Sequence, residues 1–244
     1  MNKLFTKYFI NNLTHFSIAY FSLLALDIWV KLQIETIPYR YVSKSLLIIL
    51  LIVFYLKNHN ESMRKNFWLM IAALCSFMIG DWLLIEPTNS FVFAVGMIFF
   101  VIGKTCYAFR FSNQRDFNLG RLLPFLIICF LYILGLMNLI YDNLNELFFP
   151  VLIYFFASII VLQLAFLRQG DVNKLSYWLV FSGMIASMGS DSITALKTFY
   201  LPDFAYEKVT IMLFYGISQY LIVLGIVKEV KLEEEEISTN TVNS

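Results

Sequence analysis

Long apolar stretches constrain this chain more than any other feature. Stretches long enough to cross a bilayer, at roughly 20 residues per helix, recur eight times along the 244-residue sequence. Hydrophobic residues make up 59% of the chain and charged residues 14%, a balance that excludes a water-soluble domain of this size. The runs are continuous rather than alternating in polarity, which indicates helices and not barrel strands. We therefore expect an all-α polytopic membrane helix bundle with spans at 14–33, 43–57, 67–85, 90–110, 121–141, 146–168, 175–199 and 207–228.

The domain organisation follows from the short loops between these spans. Residues 1–230 are expected to form a single eight-helix transmembrane domain, and 231–244 a disordered acidic and polar cytoplasmic tail. No loop is long enough to fold as a soluble catalytic domain, so any chemistry must occur among the helices. Lys and Arg are concentrated at both termini and in the loops after spans 2, 4 and 6. This bias predicts a multi-pass protein of the cell membrane with both termini in the cytoplasm.

Partners and cofactors are constrained mainly by charge. A net charge of +1 does not favour a nucleic-acid partner, and membrane lipids are the expected surroundings. The two histidines and three cysteines show no metal-ligand spacing, so no metal and no cofactor is predicted. The sequence leaves the oligomeric state open.

Two aspartates inside predicted spans are the main functional candidates. Asp81 lies in CSFMIGDWLLIEP and Asp191 in SGMIASMGSDSITALK. A carboxylate at the centre of a spanning helix costs roughly 2.5–3.5 kcal/mol, so such residues are functional candidates by default. By helical rise they lie about 21 and 24 Å from the same end of the bundle, and could face one another across a cavity. The alternative for Asp191 is a hydrogen bond that only ties its helix to a neighbour.

A weak internal repeat accompanies the two aspartates. Gly80-Asp81 and Ser190-Asp191 are separated by 110 residues, and each is followed 24 to 26 residues later by a tyrosine, Tyr107 or Tyr215. Four spans per half would make two parallel repeats.

Other polar residues in the spans are weaker candidates. Lys104 could contact a carboxylate or a phosphate head group, or its ammonium could reach the bilayer surface near Arg110. Lys44 lies closer to an interface. Tyr215 and Gln219 share a helix face, and a buried amide needs partners, which could be another helix, a ligand or water.

Four segments carry a family resemblance. IGDWLL, FVIGKTCYAFRF, GSDSITALKTF and FYGISQYLIVLG resemble, in order and spacing, the signature segments of the YhhN-like membrane family, which includes lysoplasmalogenases. The resemblance implies hydrolysis of the vinyl ether bond of lysoplasmalogens, such as lysoplasmenyl-choline and lysoplasmenyl-ethanolamine, to a fatty aldehyde and a glycerophospho-alcohol. It implies that Asp81 and Asp191 are the catalytic pair. The residues expected to bind the lysophospholipid substrate are Lys44, Lys104, Tyr107, Tyr215 and Gln219. The family usually has His at Lys104 and Lys-Pro at Lys44-Ser45, so head-group preference or activity could differ here.

Vinyl ether chemistry needs one acid and one anion. Protonation of the β-carbon gives an oxocarbenium ion, which water then captures. The near neighbours of Asp81 on its helix are apolar, and desolvation favours its protonated form unless a cation pairs with it. We therefore predict Asp81 as the acid and Asp191 as the stabilising anion and base, an assignment that could be reversed.

Three other functions are alternatives to hydrolysis. A retinal protein is disfavoured, because Asp191 and Lys197 are six residues apart and point about 120° away from one another. An ion-coupled transporter shares the intramembrane charges and the repeat, but Pro124 and Pro150 lie near span starts and no span has a central break. A non-catalytic lipid-binding relative also stays open.

Overall fold

The bundle is built from eight long helices. The computed structural model describes residues 3–33, 37–86, 89–112, 119–201 and 206–230. In these segments eight helices are long and apolar enough to cross a bilayer, which confirms the all-α architecture and the predicted spans. They are α1 (Lys3–Gln33), α2 (Ile37–Asn58), α3 (Arg64–Ile85), α4 (Ser90–Phe111), α5 (Leu119–Ile140), α6 (Phe148–Leu167), α7 (Lys174–Phe199) and α8 (Glu207–Val227). The predicted tail at 231–244 lies outside the described residues, and the domain boundary stays a prediction.

Helix ends agree with the predicted spans to within about three residues, except at the starts of α1, which begins at Lys3 rather than at 14, and of α2. The span predicted at 43–57 begins six residues earlier, at Ile37. Tyr39, Arg40 and Tyr41 lower the hydropathy of this first turn, although aromatic and basic residues are common where a helix enters the membrane interface. At α4 the start is fixed by Asn89, whose side-chain Oδ1 accepts a hydrogen bond of 2.9 Å from the N–H of Val92.

Seven helices form a closed ring. Each helix contacts the next one in the order α1, α2, α3, α4, α6, α7 and α8, and α8 contacts α1 again. Helix α5 lies outside this ring against α6 and α7. The two most extensive helix contacts are α3 with α4 and α7 with α8, which are equivalent pairs in the two halves of the chain.

Small residues allow these two pairs to approach closely. A Cβ atom at Gly103 of α4 would lie 2.6 Å from Cε1 of Phe77 on α3. In the second pair, a Cβ atom at Gly183 of α7 would lie 3.1 Å from the backbone oxygen of Ser218 on α8. In lipid, helix association depends on packing rather than on the hydrophobic effect, so small residues at these contacts stabilise the pairs.

A buried ionic network closes the end of the bundle at which α2, α4, α6 and α8 finish. Arg110 pairs with Glu61 at 2.8 Å and with Glu229 at 3.0 Å, and Arg168 pairs with Glu229 at 2.7 Å. Burial opposes ionisation of Glu229, but the two arginines outweigh it and hold the Glu229 pKa below its ordinary value. Burial lowers the pKa of Arg168 to about 10, although Glu229 opposes this effect. The network therefore joins four segments of the chain at this end.

Candidate functional site

A cavity of about 410 Å³ opens at the opposite end of the ring, where α1, α3 and α7 finish. This volume lies within the range of ligand pockets, roughly 300–1,000 Å³. Most of its lining is apolar and includes Phe100, Met97 and Phe155. Both Asp81 and Asp191 line it. The structure thus places the two predicted carboxylates, on α3 and α7, at a single cavity.

Asp81 is held by two donors from other helices. Its Oδ1 lies 2.7 Å from Nζ of Lys44 on α2, and its Oδ2 accepts a hydrogen bond of 2.6 Å from the hydroxyl of Tyr215 on α8. Lys44 Nζ also lies 5.5 Å from the centroid of the Tyr215 ring. The sequence argument for a protonated Asp81 applied only without a paired cation, and the ammonium of Lys44 does pair with this desolvated carboxyl. The three side chains form a unit of carboxylate, ammonium and phenol.

Asp191 is held in the same way. Its Oδ2 lies 2.7 Å from Nζ of Lys104 on α4, and its Oδ1 accepts a hydrogen bond of 2.5 Å from the hydroxyl of Tyr154 on α6. Lys104 Nζ lies 5.0 Å from the centroid of the Tyr154 ring and 3.4 Å from Oγ of Ser187. Lys104 therefore contacts a carboxylate, one of the alternatives left open by the sequence.

The two units are related by the internal repeat. Lys44 precedes Asp81 by the same 37 residues by which Tyr154 precedes Asp191. The remaining partners cross between the halves, since Lys104 of the first half binds Asp191 and Tyr215 of the second half binds Asp81. The first half thus supplies Asp81 on α3, with Lys44 from the preceding helix and Lys104 from the following one. The second half supplies Asp191 on α7, with Tyr154 from the preceding helix and Tyr215 from the following one. This arrangement supports the duplication proposed from Gly80-Asp81 and Ser190-Asp191.

The two units differ in their exposure to the cavity. The side chain of Lys44 is 12% exposed and lines the cavity, whereas that of Lys104 is 3% exposed and lies behind Asp191. Their carboxylates show the reverse order, because the side chain of Asp81 is 3% exposed and that of Asp191 is 11% exposed. A ligand in the cavity can therefore reach the lysine of the first unit and the carboxylate of the second.

Two residues predicted to bind substrate are placed elsewhere. The hydroxyl of Tyr107 donates a hydrogen bond of 2.9 Å to Oε1 of Gln219, and both side chains are buried. Neither residue is among those that line the cavity. Within the described residues this pair ties α4 to α8. When the two halves are aligned on their aspartates, Tyr215 falls next to Lys104 and not on Tyr107.

Sequence reasoning missed Tyr154 and the cationic residues at the cavity mouth. Tyr154 could have been found from the repeat, because it lies 110 residues after Lys44. Lys31, Arg40 and Lys197 lie close to helix ends, where basic residues usually face the membrane surface. Only the helix packing shows that these three side chains line the cavity.

Comparison with known proteins gives one match. A family model described as the YhhN family matches residues 39–226, which is over three quarters of the chain and includes both aspartates and their four partners. The search of curated proteins found no match, and neither did the search of solved structures.

Proposed function

The chain belongs to the YhhN family, and we propose that it is a membrane-embedded hydrolase that cleaves the vinyl ether bond of lysoplasmalogens. The products are a fatty aldehyde and a glycerophospho-alcohol. The observation that carries the proposal is the shared cavity, which is lined by two carboxylates from different halves of the chain, the buried Asp81 and the partly exposed Asp191. A multi-pass architecture suits an amphiphilic substrate whose scissile bond lies just below its head group. That the termini lie in the cytoplasm of a cell membrane stays a prediction from charge.

Asp81 is the proposed acid. It is the less exposed carboxylate, and its partner Lys44 lines the cavity, so an anionic substrate group can compete for that ammonium. Once Lys44 is drawn away, the desolvated carboxyl of Asp81 takes up one proton from bulk solvent before the reaction begins. The protonated Asp81 then transfers this proton to the β-carbon of the vinyl ether, and the ether becomes an oxocarbenium ion. Tyr215 stabilises the carboxylate that forms on Asp81.

Asp191 is the proposed anion and base. Its partner Lys104 is buried away from the cavity, so substrate cannot easily displace it, and Asp191 keeps its ammonium partner. The exposed carboxylate edge faces the cavity, where it can stabilise the oxocarbenium ion and take a proton from the attacking water. The hemiacetal then collapses when Asp191 returns that proton to the leaving glycerol oxygen and Asp81 accepts the hydroxyl proton. Asp81 is then protonated and Asp191 ionised, as they were just before proton transfer to the β-carbon, and the net reaction consumes one water.

The test is a direct assay of fatty aldehyde. Purified protein is incubated with lysoplasmenyl-choline and lysoplasmenyl-ethanolamine, and wild type is compared with Asp81→Asn and Asp191→Asn. Loss of a general acid or base lowers kcat by about 10²- to 10⁴-fold. Asp142→Asn is the matched control, because Asp142 is exposed in the turn after α5 and does not line the cavity. In water labelled with heavy oxygen, the glycerophospho-alcohol is expected to stay unlabelled, since the vinyl carbon–oxygen bond is the one that breaks. Full activity in both aspartate variants would refute the proposal.

An ion-coupled carrier is the second candidate, and the repeat is the observation that favours it. Paired intramembrane charges at a repeat interface also occur in transporters. The opposite end of this bundle is closed by the network around Arg110, however, and the helices near the two aspartates are unbroken. Substrate uptake into proteoliposomes without aldehyde release, abolished by Asp81→Asn, would favour transport over hydrolysis.

A further inference from the structure

The mouth of the cavity carries an excess of positive charge. Among the described residues, its lining includes four cationic side chains, Lys31, Arg40, Lys44 and Lys197, against the carboxylates of Asp81 and Asp191. Basic residues at helix ends usually extend to the membrane surface. Here they belong to three different helices and line one opening, which membrane-surface anchoring alone does not require.

The partners of these cations leave much of that charge available. Within the described part of the chain, the guanidinium of Arg40 has no carboxylate partner. Lys31 Nζ donates a hydrogen bond of 2.9 Å to the backbone oxygen of Lys208, and it shares the nearby carboxylate of Glu207 with Lys197, so one carboxylate serves two of the cations. Lys197 pairs with Glu207 at 3.0 Å and is 35% exposed, so solvent weakens that pair.

The cations also lie at a suitable depth relative to the carboxylates. Lys197 follows Asp191 by six residues on α7, which corresponds to about 9 Å of helical rise, and Arg40 precedes Lys44 by four residues, or about 6 Å. A glycerol backbone separates the vinyl ether oxygen of a lysoplasmalogen from its phosphate by a gap of this size. A molecule with its ether at the carboxylates would therefore place its phosphate among these cations.

We propose that Lys31, Arg40, Lys44 and Lys197 form a phosphate-binding site at the mouth of the cavity. The site rests on the proposed function for its ligand, the phosphodiester of a lysophospholipid. Arg40 is the expected main contact, because a guanidinium can bind two phosphate oxygens at once. Lys44 links this site to the acid, since it is the one cation of the four that contacts Asp81. Basic pockets between membrane helices are a common way to bind lipid head groups.

The experiment measures binding rather than turnover. Three probes are titrated into protein in a neutral detergent by calorimetry: a non-hydrolysable 1-O-alkyl lysophospholipid, the same alkylglycerol without phosphate, and inorganic phosphate. Wild type is expected to bind the phospholipid more tightly than the alkylglycerol. Arg40→Gln is expected to weaken phospholipid binding about tenfold or more and to leave alkylglycerol binding unchanged. Lys197→Gln is expected to act in the same direction.

Controls and outcomes separate this site from the proposed reaction. Arg64→Gln removes the same charge from an exposed position at the opposite end of the bundle, and it should not alter either lipid affinity. Phosphate-dependent binding that Arg40→Gln weakens, without any aldehyde production, would support the site and refute the hydrolase. Inorganic phosphate binding that depends on Arg40 and matches the phospholipid affinity would support a free-phosphate site. Equal phospholipid affinity in wild type, Arg40→Gln and Lys197→Gln would overturn the proposal, and so would an equal loss for both lipids.

Discussion

Replacing Tyr215 by Phe tests how Asp81 works. The substitution removes one hydroxyl and keeps the ring, so it leaves almost no cavity. The lost contact is the 2.6 Å hydrogen bond to Oδ2 of Asp81. In the proposed reaction Asp81 becomes negative as it gives up its proton, and the hydroxyl of Tyr215 stabilises that charge. The bond should therefore strengthen towards the transition state, and its loss should lower kcat.

The size of the effect follows from the energy of such a bond. A hydrogen bond to a charged group contributes about 1.5–3 kcal/mol, and each 1.36 kcal/mol changes a rate tenfold, so kcat should fall roughly 10- to 150-fold. The value of KM should change little, because the hydroxyl contacts the carboxyl rather than substrate. The assay is aldehyde release from lysoplasmenyl-choline over a range of substrate concentrations.

Tyr107→Phe provides the matched control. The hydroxyl of Tyr107 is buried and bonds to Gln219 at 2.9 Å, away from the cavity. This variant should lose about 1 kcal/mol of stability and keep a kcat close to that of wild type. Wild-type kcat in Tyr215→Phe would refute the role given to that hydroxyl. An equal loss of kcat in Tyr107→Phe would show that the effect reflects stability, or that Tyr107 binds substrate after all.

Three further predictions concern charge pairs and helix contacts. Lys104→Gln should lower the free energy of unfolding by about 3–5 kcal/mol, because it leaves the carboxylate of Asp191 without the cation of a buried pair; an unfolding free energy equal to that of wild type would contradict this. The depressed pKa of Glu229 means that its stabilisation is present above its ordinary value of 4.5 and is lost as pH falls below it. Glu229→Gln should therefore lower Tm at neutral pH and lose less Tm on acidification than wild type, whereas parallel curves would contradict the network. Gly103→Ala should lower the free energy of unfolding in detergent by about 1–3 kcal/mol, because the new methyl group clashes with Phe77. Gly135→Ala should be neutral or stabilising, since an added Cβ there meets no neighbouring side chain within 4 Å.

The sequence predicted the spans well because the bilayer imposes them. Backbone groups in lipid must be hydrogen-bonded internally, so a long apolar run can only become a helix. The same cost of burying charge identified Asp81 and Asp191 before any fold was known. Helices α1 and α2 begin before their predicted spans, and the first turn of α2 holds interfacial residues whose polarity hides the helix start.

The sequence predicted less well which residues contact the two aspartates. The sequence predicted the types of residue involved but treated Tyr107 and Tyr215 as equivalent positions of the repeat. In the structure Tyr107 bonds to Gln219, and Tyr154 bonds to Asp191. Contacts such as Lys104 with Asp191 and Tyr215 with Asp81 join residues 87 and 134 positions apart. No hydropathy pattern encodes which face of one helix meets which face of another.

By itself, then, the amino-acid order determined a membrane bundle of eight helices and the two costly carboxylates within it, because transfer from water to lipid depends on each segment alone. Tertiary structure decided that one lysine faces the cavity while the other is sealed behind its aspartate, and that basic residues at three helix ends surround one opening. These features depend on close packing between helices, in which small residues and side-chain shape set the distances.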